Sequence, residues 1–182
     1  MPHFDGEGVT QFITFRLADS LPRHVLETWK QELAQQELPE PERQLELQKR
    51  IERYLDQGMG ARYLQEPKIA VMVETALYHF DAQRYQLLSW VIMPNHVHLL
   101  LTPEAKHSLT EIMRSLKSYT AHKANKLLGR TGKFWFEDYF DRYIRDADHY
   151  TSVVRYIENN PVKAGLCSTP QEWRYGSAWW HR

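Results

Sequence analysis

The alternation of hydrophobic and polar residues predicts three or four strands. A period-two pattern over 9–17 indicates the first strand, in which β-branched and aromatic residues dominate and one face carries Gln11, Ile13, Phe15 and Leu17. Two apolar runs, 85–93 and 96–101, are separated by Pro94 and Asn95 and predict a hairpin of two central strands. The aromatic segment 134–144 is either a further strand or an irregular stretch.

Helical periodicity predicts the elements between these strands. Ser20 and Pro22 open a helix that runs to about Gln36, and a second, strongly charged helix runs from about Glu42 to Gln57 and stops at Gly58. These two polar helices are interpreted as an inserted surface hairpin with no sign of chemistry. Three more helices are predicted, opening at Pro67, at the capping box of Ser108 and Glu111, and at Asp146.

This order of elements favours an α+β fold. The best fit is a ferredoxin-like antiparallel sheet with helices mainly on one face and a helical-hairpin insertion at about 22–58. A length of 182 residues predicts a single domain, 1–182, with a C-terminal extension at about 146–182 that folds back on it.

Composition limits the class of protein. Hydrophobic residues at 42% and aromatic residues at 13% exclude intrinsic disorder. No run approaches the roughly 20 apolar residues that span a bilayer, and the start, MPHFDGEG, lacks the pattern of an export signal. We therefore expect a soluble, cytoplasmic protein without membrane contact. The single cysteine, Cys167, leaves nitrogen and oxygen as the ligands of any metal.

Charge is balanced overall but unevenly distributed. The formal net charge is zero, whereas the segment 113–133 has no acidic residue and six basic ones: Arg114, Lys117, Lys123, Lys126, Arg130 and Lys133. Such a stripe can follow a nucleic-acid backbone, and it can equally be a solvated helix face.

His96 and His98 are the strongest candidates for chemistry. Side chains two apart on a strand share a face, which places two imidazoles within chelating distance. With oxygen donors the pair would suit magnesium or manganese, and with nitrogen alone zinc, copper or nickel. The alternative is a pair of hydrogen-bonded core histidines. The apolar strand around them favours a ligand, since two unbound imidazoles would cost stability there.

Tyr119 is the candidate nucleophile. It follows the apolar stripe of the helix that begins near Ser108, so its side chain is expected to face the sheet near its margin. Its alternative role is a core aromatic. A tyrosine that attacks a phosphodiester needs nearby cations and a metal, which Lys117, Lys123 and Lys126 and the histidine pair could supply.

Four segments together resemble a known family. WVIMPNHVHLLL from Trp90, SLKSYTAHKANKLLGRTGKFW from Ser115, and DYFDRYIRD followed by YIENNPVKAGL closely resemble the REP-associated tyrosine transposases, members of the HUH single-tyrosine superfamily. The resemblance implies a ferredoxin-like fold, Mg2+ or Mn2+, and cleavage of single-stranded hairpin DNA (repetitive extragenic palindromes) through a 5′-phosphotyrosine intermediate with later rejoining. It implies His96 and His98 as metal ligands and Tyr119 as nucleophile.

One position departs from the family pattern. Related enzymes place a third, oxygen-bearing ligand one turn after the tyrosine, where this chain has Lys123. His122 or Asn125 could approach the metal instead, DNA phosphate and water could complete the shell, or Lys123 could contact the scissile phosphate.

Two other functions share features with this sequence. A histidine-triad nucleotide hydrolase is disfavoured because Leu100 stands where the third histidine would be. A catalytically silent protein that binds hairpin DNA or RNA is the main alternative. The sequence leaves open whether the active form is a monomer or a homodimer.

Overall fold

A four-stranded antiparallel sheet organises the chain. The structure is a computed structural model and describes residues 8–181; the predicted lack of an export signal falls on residues that lie mostly outside this range. Strands β1 (Gln11–Arg16), β2 (Tyr85–Ile92), β3 (His96–Pro103) and β4 (Phe140–Tyr143) pair in the order β2-β3-β1-β4. This order confirms the predicted ferredoxin-like α+β class.

Two helices cover one face of the sheet. Helices α3 (Pro67–His79) and α4 (Leu109–Leu128) form a core cluster with Val97, Leu99 and Leu101 of β3. Helix α4 begins with the predicted capping box and ends at Gly129, whose φ is +61°. The fold prediction had helices mainly on one face of the sheet and did not assign individual helices to it.

The opposite face carries the remaining helices. Leu100 of β3 and Phe12 of β1 pack against Val153 and Ile157 of α5 (Ala147–Lys163). The hairpin of α1 (Arg23–Ala34) and α2 (Glu40–Asp56) lies on this side as well, since its apolar side chains line a cavity with Thr14, Phe136 and Phe140. The inserted hairpin was predicted; its position over the sheet was not.

Two elements differ in extent from the sequence prediction. Within 134–144 only β4 is a strand, because Phe134 and Trp135 turn inward and are buried in the core. Helix α5 continues past Pro161 to Lys163. A proline in the last turn removes one hydrogen bond only, so the helix ends after it rather than before it.

Among residues 8–181, no helix combines the length and the hydropathy needed to cross a lipid bilayer.

Candidate metal and tyrosine site

Strand β3 turns His96 and His98 toward the face that carries α5. The two imidazoles are fully buried, and the intervening Val97 points to the opposite face, into the α3–α4 core. Their Nε2 atoms lie 3.0 Å apart. The predicted pairing of the two side chains is therefore present.

The outer nitrogen of each ring has its own partner. His96 Nδ1 donates to Asn95 Oδ1 at 2.6 Å, because an amide oxygen only accepts. His98 Nδ1 lies 2.8 Å from Thr14 Oγ1, which can accept in the same way. When Thr14 accepts from His98 Nδ1, both Nε2 lone pairs face the same space, as in sites where a second partner fixes the tautomer of a metal ligand.

Burial keeps both histidines neutral. It lowers the pKa of His96 to about 3 and that of His98 well below its usual range, where the neighbouring His96 and Lys163 add to the effect. Neutral imidazole is the form that binds a metal ion. With both protons on the Nδ1 atoms, the two Nε2 lone pairs 3.0 Å apart repel each other unless a cation lies between them, and in this tautomer the pair suits a ligand role.

A carboxylate from the inserted hairpin joins the pair. Asp56, the last residue of α2, places Oδ1 3.7 Å from His96 Nε2, and ligand atoms of Asp56, His96 and His98 lie within 4.8 Å of one another. This Oδ1 is buried without a hydrogen-bond partner among the described residues. Burial raises the pKa of Asp56, while Asn160 and Lys163 oppose the shift. Two nitrogens and one oxygen form a donor set that fits a divalent cation.

Helix α5 brings a tyrosine to the same point. The Tyr156 ring centroid lies 5.3 Å from that of His98, and its hydroxyl is buried. Asn160, one turn later, places Nδ2 3.4 Å from His98 Nε2, and Lys163 Nζ lies 4.7 Å from the Tyr156 ring centroid. Burial raises the pKa of Tyr156, and the carboxylates of Glu52 and Asp56 add to the rise. A phenol, an amide, an amine and two imidazoles thus converge.

Tyr119 does not take part in this arrangement, which corrects the predicted convergence with the histidines. It lies on α4, on the opposite face of the sheet, and its side chain is 52% exposed. It lines a groove of about 310 Å³ between α3 and α4 with Phe80 and Arg84. The apolar stripe of α4 does face the sheet, as predicted. It packs on one face of the sheet, and both imidazoles point to the other face.

The alternative third ligands on α4 are equally remote. Asn125 donates from Nδ2 to Gly132 O at 2.9 Å and so holds the loop after the helix. His122 is exposed, and Lys123 Nζ lies 5.8 Å from the centroid of the Tyr119 ring. On α5, by contrast, Tyr156 is followed one turn later by the oxygen-bearing Asn160.

The six predicted DNA-binding cations fall into two groups. Lys117 Nζ donates to Glu137 O at 2.7 Å, Arg130 pairs with Asp19 at 3.3 Å, and Lys133 pairs with Glu137 at 3.0 Å. Three others lie on the exposed side of α4 and, among the described residues, form no ion pair: Arg114, Lys123 and Lys126.

Sequence reasoning missed Asp56, Tyr156, Asn160 and Lys163. A signal for the tyrosine was present in YIENNPVK, where Tyr156 and Asn160 are four apart and Lys163 follows on the same helix side. Asp56 had no such signal, because it lies 40 residues before His96 in a polar helix.

Known proteins resemble the chain in sequence and fold. The family "Transposase IS200 like" matches residues 64–160, slightly more than half of the chain. A REP-associated tyrosine transposase of Escherichia coli (strain K12) is 26% identical over 94 residues, 51% of this chain and 54% of that protein. A relative from Haemophilus influenzae is 27% identical over 103 residues, 51% of this chain and 58% of that protein. The chain thus spans little more than half the length of these relatives.

A solved structure agrees over nearly the whole chain. It is described as the REP associates tyrosine transposase bound to a REP hairpin, and it matches with a TM-score of 0.58 and 19% identity, covering 97% of this chain and 81% of that one. This likeness supports the fold. The family match confirms the resemblance seen in the sequence motifs: the chain belongs to the IS200-like transposase family.

Proposed function

We propose that the protein is a metal-dependent endonuclease and strand transferase for single-stranded hairpin DNA, with Tyr156 as the nucleophile in place of Tyr119. The observation that carries this proposal is the meeting of Tyr156 with His98, at a ring-centroid distance of 5.3 Å. Membership of a transposase family and two relatives with REP-associated names support DNA as the substrate. A structural neighbour described as bound to a REP hairpin supports hairpin DNA.

His96, His98 and an oxygen donor would hold Mg2+ or Mn2+. Two neutral nitrogens with carboxylate or amide oxygens suit these ions, and Asn160 and Asp56 both lie beside the pair. When bound, such an ion polarises the scissile phosphate and neutralises charge that develops on it.

The remaining steps belong to side chains of the chain. The Tyr156 hydroxyl loses its proton to solvent and its oxygen attacks the phosphorus, while the bond from phosphorus to the 3′-oxygen breaks and that oxygen takes up a proton. The products are a 5′-phosphotyrosine ester and a free 3′-hydroxyl. Lys163, 4.7 Å from the Tyr156 ring centroid, stabilises the phenolate and the phosphate. Attack by another 3′-hydroxyl on the ester reverses the reaction.

The test is covalent capture of DNA. Incubation with a labelled single-stranded hairpin and Mn2+ should give an adduct that survives denaturation in the wild type and in Tyr119→Phe. Tyr156→Phe should give none, because it lacks the attacking oxygen. The matched control is Tyr119→Phe, the same change on the other face of the sheet.

Two outcomes would contradict the proposal. Loss of the adduct in Tyr119→Phe with retention in Tyr156→Phe would return the nucleophile to α4. Tight, chelator-insensitive binding of hairpin DNA or RNA with no adduct in any variant would favour the catalytically silent alternative.

A further inference from the structure

Strand β1 places an arginine beside the histidine pair. Arg16 lies directly across from His96 in the antiparallel pairing of β1 with β3, two residues along β1 from the pairing of Thr14 with His98. Opposite residues of such a pair share one face of the sheet. The 2.8 Å contact between Thr14 Oγ1 and His98 Nδ1 identifies that face. The Arg16 side chain therefore emerges on the face that carries the candidate metal site.

The Arg16 guanidinium is buried without a counter-ion. The residue is 6% exposed, and within residues 8–181 it forms no ion pair with a carboxylate. Its Nη1 donates to Ser20 Oγ at 3.3 Å and to Leu17 O at 3.5 Å, and Nε and Nη2 form no hydrogen bond within the same range. Burial lowers the pKa of Arg16 to about 10, which leaves it cationic at neutral pH. A buried cation without an anion costs free energy, and this favours a role in binding one.

The guanidinium lines a pocket that opens to solvent. Its Cζ lies 3.8 Å from the centroid of the Phe136 ring, and Phe136 pairs with the edge of β1 that faces away from β3. The pocket, of about 190 Å³, lies between the α1–α2 hairpin and this edge, and the exposed Lys30 adds a second cation to it. Asp138 also lines the pocket but forms no ion pair with Arg16. An unpaired cation thus faces a space that a ligand can enter.

The hairpin wall of this pocket is held in place. The buried Asn95 side chain donates from Nδ2 to Leu55 O at 3.2 Å and to Met59 O at 2.9 Å. Leu55 is itself buried and lines the pocket. The pocket therefore exists before a ligand binds, and binding does not require its walls to become ordered.

A phosphodiester is the anion that suits this pocket. The N–H groups of a guanidinium form a fork that matches two phosphate oxygens. Cations beside aromatic rings are typical of sites for single-stranded nucleic acid. In the proposed reaction the scissile phosphate meets Tyr156 and the histidines of β3, whereas the Arg16 fork lies over Phe136, on the other side of β1. Arg16 is thus placed for a phosphate next to the scissile one.

We propose that Arg16 binds a backbone phosphate adjacent to the scissile phosphate, and that the single strand leaves the candidate active site through the pocket between the α1–α2 hairpin and Phe136. This inference rests on the proposed function, because it takes Tyr156 and the histidine pair as the cleavage site. A phosphate contact of this kind fixes the position of the strand without reading its bases.

The test neutralises one phosphate at a time. Labelled hairpin DNAs, each with a single methylphosphonate in the unpaired flank, are bound in Mn2+ to Tyr156→Phe protein, which avoids cleavage. At one position next to the scissile phosphate the neutral group should weaken binding by roughly 10-fold, as expected for loss of a charge-assisted hydrogen bond. That penalty should vanish in Arg16→Met and in Arg16→Gln, which keeps a donor for Ser20. The matched control is Arg53→Met, at an exposed position of α2, which should retain the penalty.

Equal penalties at every phosphate in the Arg16 and Arg53 variants would overturn the Arg16 contact. Failure of the proposed function would look different, since wild type would then form no adduct with hairpin DNA. The methylphosphonate penalties are measured without cleavage, so they decide the Arg16 contact whichever residue is the nucleophile. A protein that binds no hairpin DNA at all would overturn both proposals.

Discussion

At the scale of single residues, the buried imidazoles depend on partners at both ring nitrogens. Asn95 and Thr14 satisfy the Nδ1 atoms of His96 and His98 at 2.6 and 2.8 Å. Their Nε2 atoms face each other and the Asp56 carboxylate. Burying neutral rings with one nitrogen paired costs less than burying charged ones, so the site stays ready for a cation without a large loss of stability.

Lys117 provides a prediction about stability and pH. Burial lowers its pKa to about 8 from the ordinary 10.5, against the opposing effect of Asp138 and Glu137. Between these values the unfolded chain binds more protons than the folded one, so the contribution of Lys117 to the free energy of unfolding rises with pH. We expect wild type to gain stability relative to Lys117→Met as pH increases from 7 to 10, measured by urea denaturation.

Lys133→Met is the control for this measurement, since Lys133 is exposed and pairs with Glu137 at the surface. The difference in free energy of unfolding between wild type and Lys133→Met should not change between pH 7 and 10. If the free energy of unfolding of wild type and of Lys117→Met varied with pH in parallel, Lys117 would not be a buried cation. It would then again be a candidate for DNA contact.

Residue types and local spacing predicted part of the site. His96 and His98 could be found because alternation on a strand fixes their relative direction over two residues. Tyr119 was misplaced because helical periodicity says that a side chain faces a sheet but not which face of the sheet it meets. Tyr156 lies on the other face, next to His98. The path of the chain from β4 into α5 determines which face α5 covers.

At the scale of elements, helix ends followed the sequence closely where side chains cap them. Ser108 accepts from the Glu111 amide at 3.2 Å, and Asp146 accepts from that of His149 at 2.7 Å, so both starts were predictable. The α1–α2 hairpin was recognised as an insertion by its polar composition. Its role was not recognised, because the contact of Asp56 with His96 joins residues far apart in the chain.

Gly60 provides the prediction at this scale. The chain leaves the hairpin through Gly58 and Gly60, which have φ of +69° and +76°. A Cβ on Gly60 would lie 2.3 Å from Ser20 O, whereas one on Gly58 would meet only Arg62, at 3.8 Å. Gly58→Ala should cost about 1 kcal/mol for the left-handed backbone alone. Gly60→Ala should cost about 2 kcal/mol more, because the backbone of 18–20 must shift.

Urea denaturation of the two variants measures this difference. Equal losses of stability would mean that the segment after the hairpin does not rest against the 18–20 turn as described.

At the scale of the whole molecule, the candidate catalytic site and the exposed cations occupy opposite faces of one sheet. Tyr156 and the histidines lie on the α5 face, and α4 presents three exposed basic residues on the other: Arg114, Lys123 and Lys126. A single strand that reaches both must pass around an edge of the sheet. Two segments of the bound strand would then be held by different surfaces.

This division predicts a selective effect of salt. Each phosphate contact of a single strand adds about 0.7 to the slope of log affinity against log salt concentration. Replacing Arg114, Lys123 and Lys126 by alanine should therefore lower the slope for hairpin DNA by about 2, measured by fluorescence anisotropy, while the Tyr156 adduct still forms at low salt. Replacing Lys117 and Lys133 should change the slope little, because their charges are engaged within the protein. An unchanged slope in the triple variant would place the DNA elsewhere, and loss of the adduct at low salt would mean that the α4 cations act on the reaction itself.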